Sequence, residues 1–194
     1  RRSEFFIYGG VLVPSDSLYD LHCVVSDARQ SNGYRAGDVF KFSTRARPDH
    51  VTPEQAREAK RQVLTRSHEL GIKFLASVTL HEIARQRSQE ELVGWGANVV
   101  LGAFDTFLRQ EQSFGVCIMD RLPFNRDFDY LREKFQIGLT LADGRALRLQ
   151  RMLMFACSCD GASHAMSAID IILGAFRYCV NEREREAAPR EMFP

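Results

Sequence analysis

Apolar, β-rich runs alternate with stretches of helical periodicity along the whole chain, and that alternation is what most constrains the fold. Phe5–Val13 (FFIYGGVLV) predicts a strand buried on at least one face and stopped by Pro14. Ser15 or Asp16 is placed to cap a helix carrying Leu18, Leu21, Val24, Val25 and Ala28, which Asn32-Gly33 ends. Asp38–Ser43 (DVFKFS) is short and alternating, as in an edge strand or an extended loop, and the polar segment Arg45–His50 with Pro48 is a surface connection. Thr52-Pro53-Glu54 combines a cap residue, a first-turn proline and an acidic first turn, predicting a helix to about Leu70 that Gly71 ends. Beyond it the pattern predicts a strand over Ile72–Ile83, a long helix over Gln89–Gln112 and a short, wholly apolar strand over Phe114–Met119. A helix over Phe124–Phe135, a strand over Leu149–Ser158, a turn at Asp160-Gly161 and an apolar helix over Ser163–Val180 complete it, before a charged tail. Alternation of this kind predicts an α/β protein with a mixed sheet flanked by helices.

A length of 194 residues fits one domain, read here as 1–194 with a helical insertion around 15–70. Hydrophobic residues make up 45%, enough for a sizeable core. The 26 basic and 25 acidic residues leave a formal charge of +1, which argues against a protein that coats nucleic acid electrostatically but leaves room for a local basic groove. Cysteines number five, an odd count, and sit in apolar runs, which points to a reducing, cytoplasmic compartment rather than a disulfide framework. Cys157 and Cys159 form a C-x-C pair with no second pair at zinc spacing. No apolar run reaches the ~18 residues of a membrane span, and no signal peptide is visible. The chain opens at Arg1 without an initiator Met, so a missing upstream segment is expected.

Two carboxylates stand out. Asp120 ends the apolar strand Phe114–Met119, and ligands of α/β sheets sit outside the carboxyl ends of strands. A carboxylate there suits Mg²⁺ binding or base catalysis, and equally a turn or cap ahead of Pro123. Asp170 is the one charge in Ala165–Phe176 (AMSAIDIILGAF) and shares a helix face with Met166, Leu173 and Arg177. A buried carboxylate needs a metal or a basic partner, so the alternatives are a functional site, a structural pair, or a helix-start aspartate favoured by the macrodipole. Asp160 reads as a plain Asp-Gly turn. Lys41 suits a phosphate contact, or the charged gatekeeper of an edge strand. His81-Glu82 opens like a zincin helix, but Arg85 occupies the place of the second His. His164 suits a capping or surface role at a helix start, and Trp95 reads as core. Phosphate-loop and nucleophile-elbow motifs are absent, and Gly94-Trp95-Gly96 lies in a helical stretch that does not support dinucleotide binding.

In combination these landmarks resemble the bacterial domain-of-unknown-function-3800 family. Phe5–Pro14 (FFIYGGVLVP) is similar to its second strand, Asp38–Ser43 to its Glu/Asp-x-x-Lys-[FW]-Ser segment with Lys41 as the lysine, Asp120 in CIMD to its strand-ending Asp, and Ser167-Ala168-Ile169-Asp170 to its C-terminal Gln-x-Ala-Asp. Ser167 stands in place of the Gln, and the family's acidic first strand is absent, the chain starting where the following segment would. The resemblance implies an RNase H-like fold whose carboxylates hold Mg²⁺ or Mn²⁺ for phosphodiester hydrolysis. It makes Asp120 and Asp170 the metal ligands and Lys41 the group that steadies a phosphate. Nucleic acid is then the expected substrate. The alternative is a non-catalytic module that keeps the fold and binds nucleic acid or protein. An edge left open by a missing strand also admits a homodimer.

Overall fold

The computed structural model describes residues 4–121, 127–141, 143–159 and 161–181. The Asp160 turn, the residues at 124–126 and the charged tail from Glu182 lie outside them. In chain order the elements are β1 (Phe5–Leu12), α1 (Leu18–Ser31), α2 (Pro53–Glu69), β2 (Lys73–Leu80), α3 (His81–Ala84), α4 (Gln89–Gln110), β3 (Gly115–Asp120), α5 (Asp127–Gln136), β4 (Leu139–Thr140), β5 (Ala146–Leu147), β6 (Met152–Ser158) and α6 (His164–Asn181). This is an α/β chain with small sheets flanked by helices. Its strands pair two by two, β1 with β2, β3 with β6 and β4 with β5, so among the described residues no sheet exceeds two strands. Two compact units result. Residues 4–5, 10–74 and 161–181 belong to the first, and residues 6–9 and 75–159 to the second.

The first unit is built on α1, α2 and α6. A capping box starts α2: the Thr52 hydroxyl accepts from the Gln55 N–H at 3.2 Å, and the Gln55 side chain accepts from the Thr52 N–H at 2.8 Å. Pro53 occupies the first turn, where its missing N–H costs nothing. Entry into α1 differs from expectation. Ser15–Ser17 form a 3-10 turn after Pro14, and neither Ser15 nor Asp16 caps the helix with its side chain. Leu21, Val25 and Ala28 line one face of α1 and pack with Ala56, Ala59 and Val63 of α2 and with Ala168 and Ile171 of α6. Alanines at these places let the helix backbones approach closely. Burying a side chain the size of Leu21 stabilises the unit by about 1.5–3 kcal/mol.

Asp38–Ser43 pairs with no strand among the described residues. Phe40 still enters the core, 2% exposed and edge-on to Tyr34 at 4.8 Å. At the far end of α6 the Asn181 amide oxygen accepts from the N–H groups of Glu4 (2.8 Å) and Phe5 (3.0 Å).

The second unit is organised on the parallel pair β3–β6, in which Val116 lies opposite Met154, Ile118 opposite Ala156, and Asp120 opposite Ser158. Its buried side carries Cys117 and Met119, against Val93 and Ala97 of α4 and Leu131 of α5. Gly96 has a packing role in α4, since a Cβ there would lie 2.6 Å from Tyr8 Cβ. Trp95 corrects the sequence reading. It is 48% exposed, with the Arg87 guanidinium 5.9 Å from its ring, because only one face of α4 is buried at that turn. Residues 81–83 also leave the expected strand and form the short helix α3, while β6 starts at Met152 rather than Leu149. The hairpin β4–β5 is too short to leave a periodic signal in the sequence.

Asp105 carries no sequence signal either, because with Arg109 it reads as an ordinary exposed i,i+4 pair. It is 3% exposed. One carboxylate oxygen accepts from Arg109 Nε at 2.8 Å, and the other from the Arg151 N–H at 3.0 Å, next to the start of β6. Asp105→Ala leaves that N–H unmet and is expected to destabilise the second unit by about 2–3 kcal/mol, with Asp105→Asn milder. Urea unfolding of the two variants tests this, and equal midpoints for wild type and Asp105→Ala would refute it.

Candidate functional site

Asp120 belongs to the second unit, whereas Lys41 and Asp170 belong to the first. Asp120 is the last residue of β3, exposed, at the carboxyl end of two parallel strands with Ser158 opposite it. Parallel strands point all their terminal carbonyls and following loops to one end, and α/β proteins use that end for ligands. The Asp120 Oδ1 accepts from the Arg121 N–H at 2.8 Å, and no hydrogen bond is found for its second oxygen among the described residues. Asp127, 8% exposed at the start of α5, faces Arg121 at 3.7 Å.

Tyr8, Cys117, Tyr130 and Cys157 lie in the core that ends at Asp120. Burial is the main cause that raises the Cys117 thiol to about 12 and the Tyr8 hydroxyl to about 12, with the Asp120 charge adding to the latter. Tyr130 is pushed up by burial too, and Cys157 by burial and then Asp127. Cys117 and Tyr8 therefore stay protonated at neutral pH and supply no anionic nucleophile. None of the five cysteines forms a disulfide. The Tyr130 hydroxyl is buried with no hydrogen-bond partner among the described residues, an atom that calls for a water or a ligand oxygen.

Asp170 sits in the middle of α6, at neither end, so the macrodipole does not explain it. Its Oδ2 accepts from the Phe42 N–H at 2.7 Å. Lys60 Nζ donates to the Phe42 carbonyl at 2.8 Å and lies 5.4 Å from the Phe42 ring centre. Burial lowers the Lys60 ammonium, and the Asp170 carboxylate opposes that fall. The two polar groups of Phe42 are thus satisfied by side chains of α6 and α2 instead of a neighbouring strand. Lys41 is half-buried beside this clamp. Sequence reasoning singled out Asp170 and Lys41 but missed Lys60, which sits in a polar helix with nothing to distinguish it.

No family model, curated protein or solved structure matches the chain. Among the described residues no three His, Cys, Asp or Glu side chains gather closely enough to hold a metal ion. At the β3–β6 end the described donors include the Asp120 carboxylate and Ser158 opposite it, with Asp127 engaged by Arg121, short of a protein-built cage. Mg²⁺ is commonly held by one or two carboxylates together with water and substrate phosphates, so a donor set of this size suits an ion that arrives with its substrate. Among the described residues no helix is long and apolar enough to cross a membrane.

Proposed function

We propose that this chain is an RNase H-like, cytoplasmic, metal-dependent phosphodiester hydrolase that acts on nucleic acid and resembles the domain-of-unknown-function-3800 family. The observation that carries the reading is the exposed Asp120 carboxylate at the carboxyl end of β3–β6, with one oxygen that has no hydrogen bond among the described residues. Mg²⁺ or Mn²⁺ bound there would supply Lewis-acid stabilisation of phosphate charge. Asp120 would hold that ion, and Ser158, opposite it in the strand pair, carries a hydroxyl. Asp170 and Lys41 are kept as candidate ligand and phosphate contact, to be tested separately from Asp120.

The test is cleavage of labelled single-stranded DNA, duplex DNA and RNA with Mn²⁺ or Mg²⁺ present. Asp120→Asn keeps the shape and removes the charge, and it is expected to lower metal-dependent cleavage by at least about 100-fold, in the range of losing a main electrostatic contact. Full activity in Asp120→Asn, or no cleavage of any of the three substrates by the wild-type chain, overturns the proposal.

One observation favours the non-catalytic alternative. Val116 and Ile118 of β3 and Leu153 and Met154 of β6 are each 45–61% exposed, although parallel strands are ordinarily covered on both faces. If this is an interaction module, a partner or second copy shields these residues, and Ile118→Glu abolishes that association without touching Asp120. Light scattering of the wild-type chain and Ile118→Glu across concentration reads it directly. A chain that stays monomeric and pulls down no partner excludes the alternative.

A further inference from the structure

The first unit contains a pocket of about 440 Å³, within the range of small-ligand sites. Its walls come from the second half of α1 (Ser26, Arg29, Gln30), the segment Tyr34–Phe40, and the start of α6 (His164, Ser167). Its charged lining is unequal. Arg29 and Arg35 both face it, and no carboxylate pairs with either guanidinium among the described residues. Arg29 is instead held in place by neutral groups: it donates to the Arg35 carbonyl at 3.1 Å and lies over the Tyr34 ring at 5.7 Å. The one lining carboxylate, Asp38, is already engaged. Its Oδ2 accepts from the Arg35 N–H at 2.5 Å and contacts His50 Nε2 at 3.0 Å. That Arg35 N–H holds the carboxylate below its ordinary range, so it stays ionised and occupied.

The remaining polar groups suit the same ligand chemistry. Ser167 is 5% exposed and lines the pocket. The ring of His164 is positioned by Nδ1 at 3.2 Å from the His22 carbonyl and by the His22 ring at 4.5 Å. With Nδ1 turned to a carbonyl, Nε2 is the nitrogen available to a ligand. Guanidinium groups with no ion pair of their own among the described residues match phosphate oxygens bidentately, and the Asp38 charge acts on Arg29 without forming an ion pair with it. Tyr34 and Phe40, packed edge-on at 4.8 Å, are among the lining residues, which suits an organic body attached to the phosphate.

We propose that this pocket binds a phosphate ester of nucleotide size, with Arg29 and Arg35 on the phosphate. The site lies in the first unit and uses neither Asp120 nor a metal, so it stands or falls independently of the hydrolase reading.

Isothermal titration of the full chain with adenosine 5′-monophosphate, inorganic phosphate and adenosine, in metal-free buffer, tests it. The monophosphate is expected to bind, adenosine to give no heat, and inorganic phosphate to bind more weakly than the monophosphate. Arg29→Gln removes a group that also supports Tyr34 and carries a folding risk. Arg35→Gln is the safer variant, because Arg35 is exposed and no hydrogen bond or ion pair of its guanidinium is found among the described residues. Arg35→Gln is expected to weaken the monophosphate about tenfold, a loss of about 1.4 kcal/mol. Arg66→Gln, on the far part of α2 and outside the pocket lining, serves as the charge control and is expected to change nothing. No binding of the monophosphate at millimolar concentration overturns the proposal. So does binding that Arg35→Gln leaves unchanged, or adenosine binding as well as its monophosphate.

Discussion

Gly174→Ala is expected to destabilise the first unit by about 2 kcal/mol, although the same change in an exposed helix would stabilise it. Two effects oppose each other. Replacing a mid-helix glycine by alanine gains about 1 kcal/mol of helix propensity. Against this, a Cβ on Gly174 would lie 2.3 Å from Phe42 Cγ and 2.4 Å from Phe42 Cβ. Overpacking costs about 1–3 kcal/mol, and more where neighbours cannot move. Phe42 cannot move easily. Rotating its ring leaves Cβ in place, and its backbone is gripped at N–H by Asp170 and at C=O by Lys60. The clash therefore outweighs the propensity. Urea unfolding of Gly174→Ala should show the lower midpoint, and Gly174→Ala with Phe42→Ala should recover part of the loss relative to Phe42→Ala alone. A midpoint at or above wild type for the single variant would show that no such contact exists.

Asp170→Ala is expected to cost about 2–3 kcal/mol, and Asp170→Asn less than about 1. The alanine leaves the Phe42 N–H without its acceptor and takes the neighbouring carboxylate away from the half-buried Lys60 ammonium. The asparagine keeps a carbonyl oxygen within reach of the same N–H. The pair also separates two roles for this carboxylate. A clamp for Phe42 predicts that stability falls in the alanine variant and that activity per folded molecule is the same in both. A metal ligand predicts that metal-dependent cleavage is lost in Asp170→Asn while its unfolding midpoint is nearly unchanged. Denaturation and cleavage measured on the same two proteins decide between them.

Much of the fold was legible in the sequence where the physics is local. The capping residues Thr52 and Gln55 with Pro53 mark the start of α2, the apolar period of Leu21, Val25 and Ala28 marks α1, and the short apolar run before Asp120 marks β3. What stayed hidden depends on contacts between residues far apart in sequence. Asp38–Ser43 alternates like a strand, yet its segment is held by side chains of two helices, which no period reveals. Gly96 looks like a helix weakness until Tyr8 is seen against it. Asp105 and Lys60 have the sequence context of ordinary surface charges, and only the fold turns them inward. At the candidate sites, Asp120 was legible because a charge directly after an apolar strand is a local signal. The pairing of Arg29 with Arg35 around one pocket was not, since their spacing follows no motif.

The first unit draws its core from both ends of the chain, and this sets an order of events during synthesis. Leu21, Val25, Ala59 and Val63 are made early, but Ala168 and Ile171, which complete their packing, emerge only after all of residues 75–159. The second unit has its own core and is complete when Cys159 leaves the ribosome. On a growing chain it closes first, while α1 and α2 wait as an uncovered helical pair for α6. The Asn181 amide that holds the backbone of Glu4 and Phe5 is then the last fastening made, joining the start of the described chain to its end. A ribosome stalled before α6 would hold a folded second unit preceded by two helices whose apolar faces are still uncovered, a form of this chain open to chaperones and proteases.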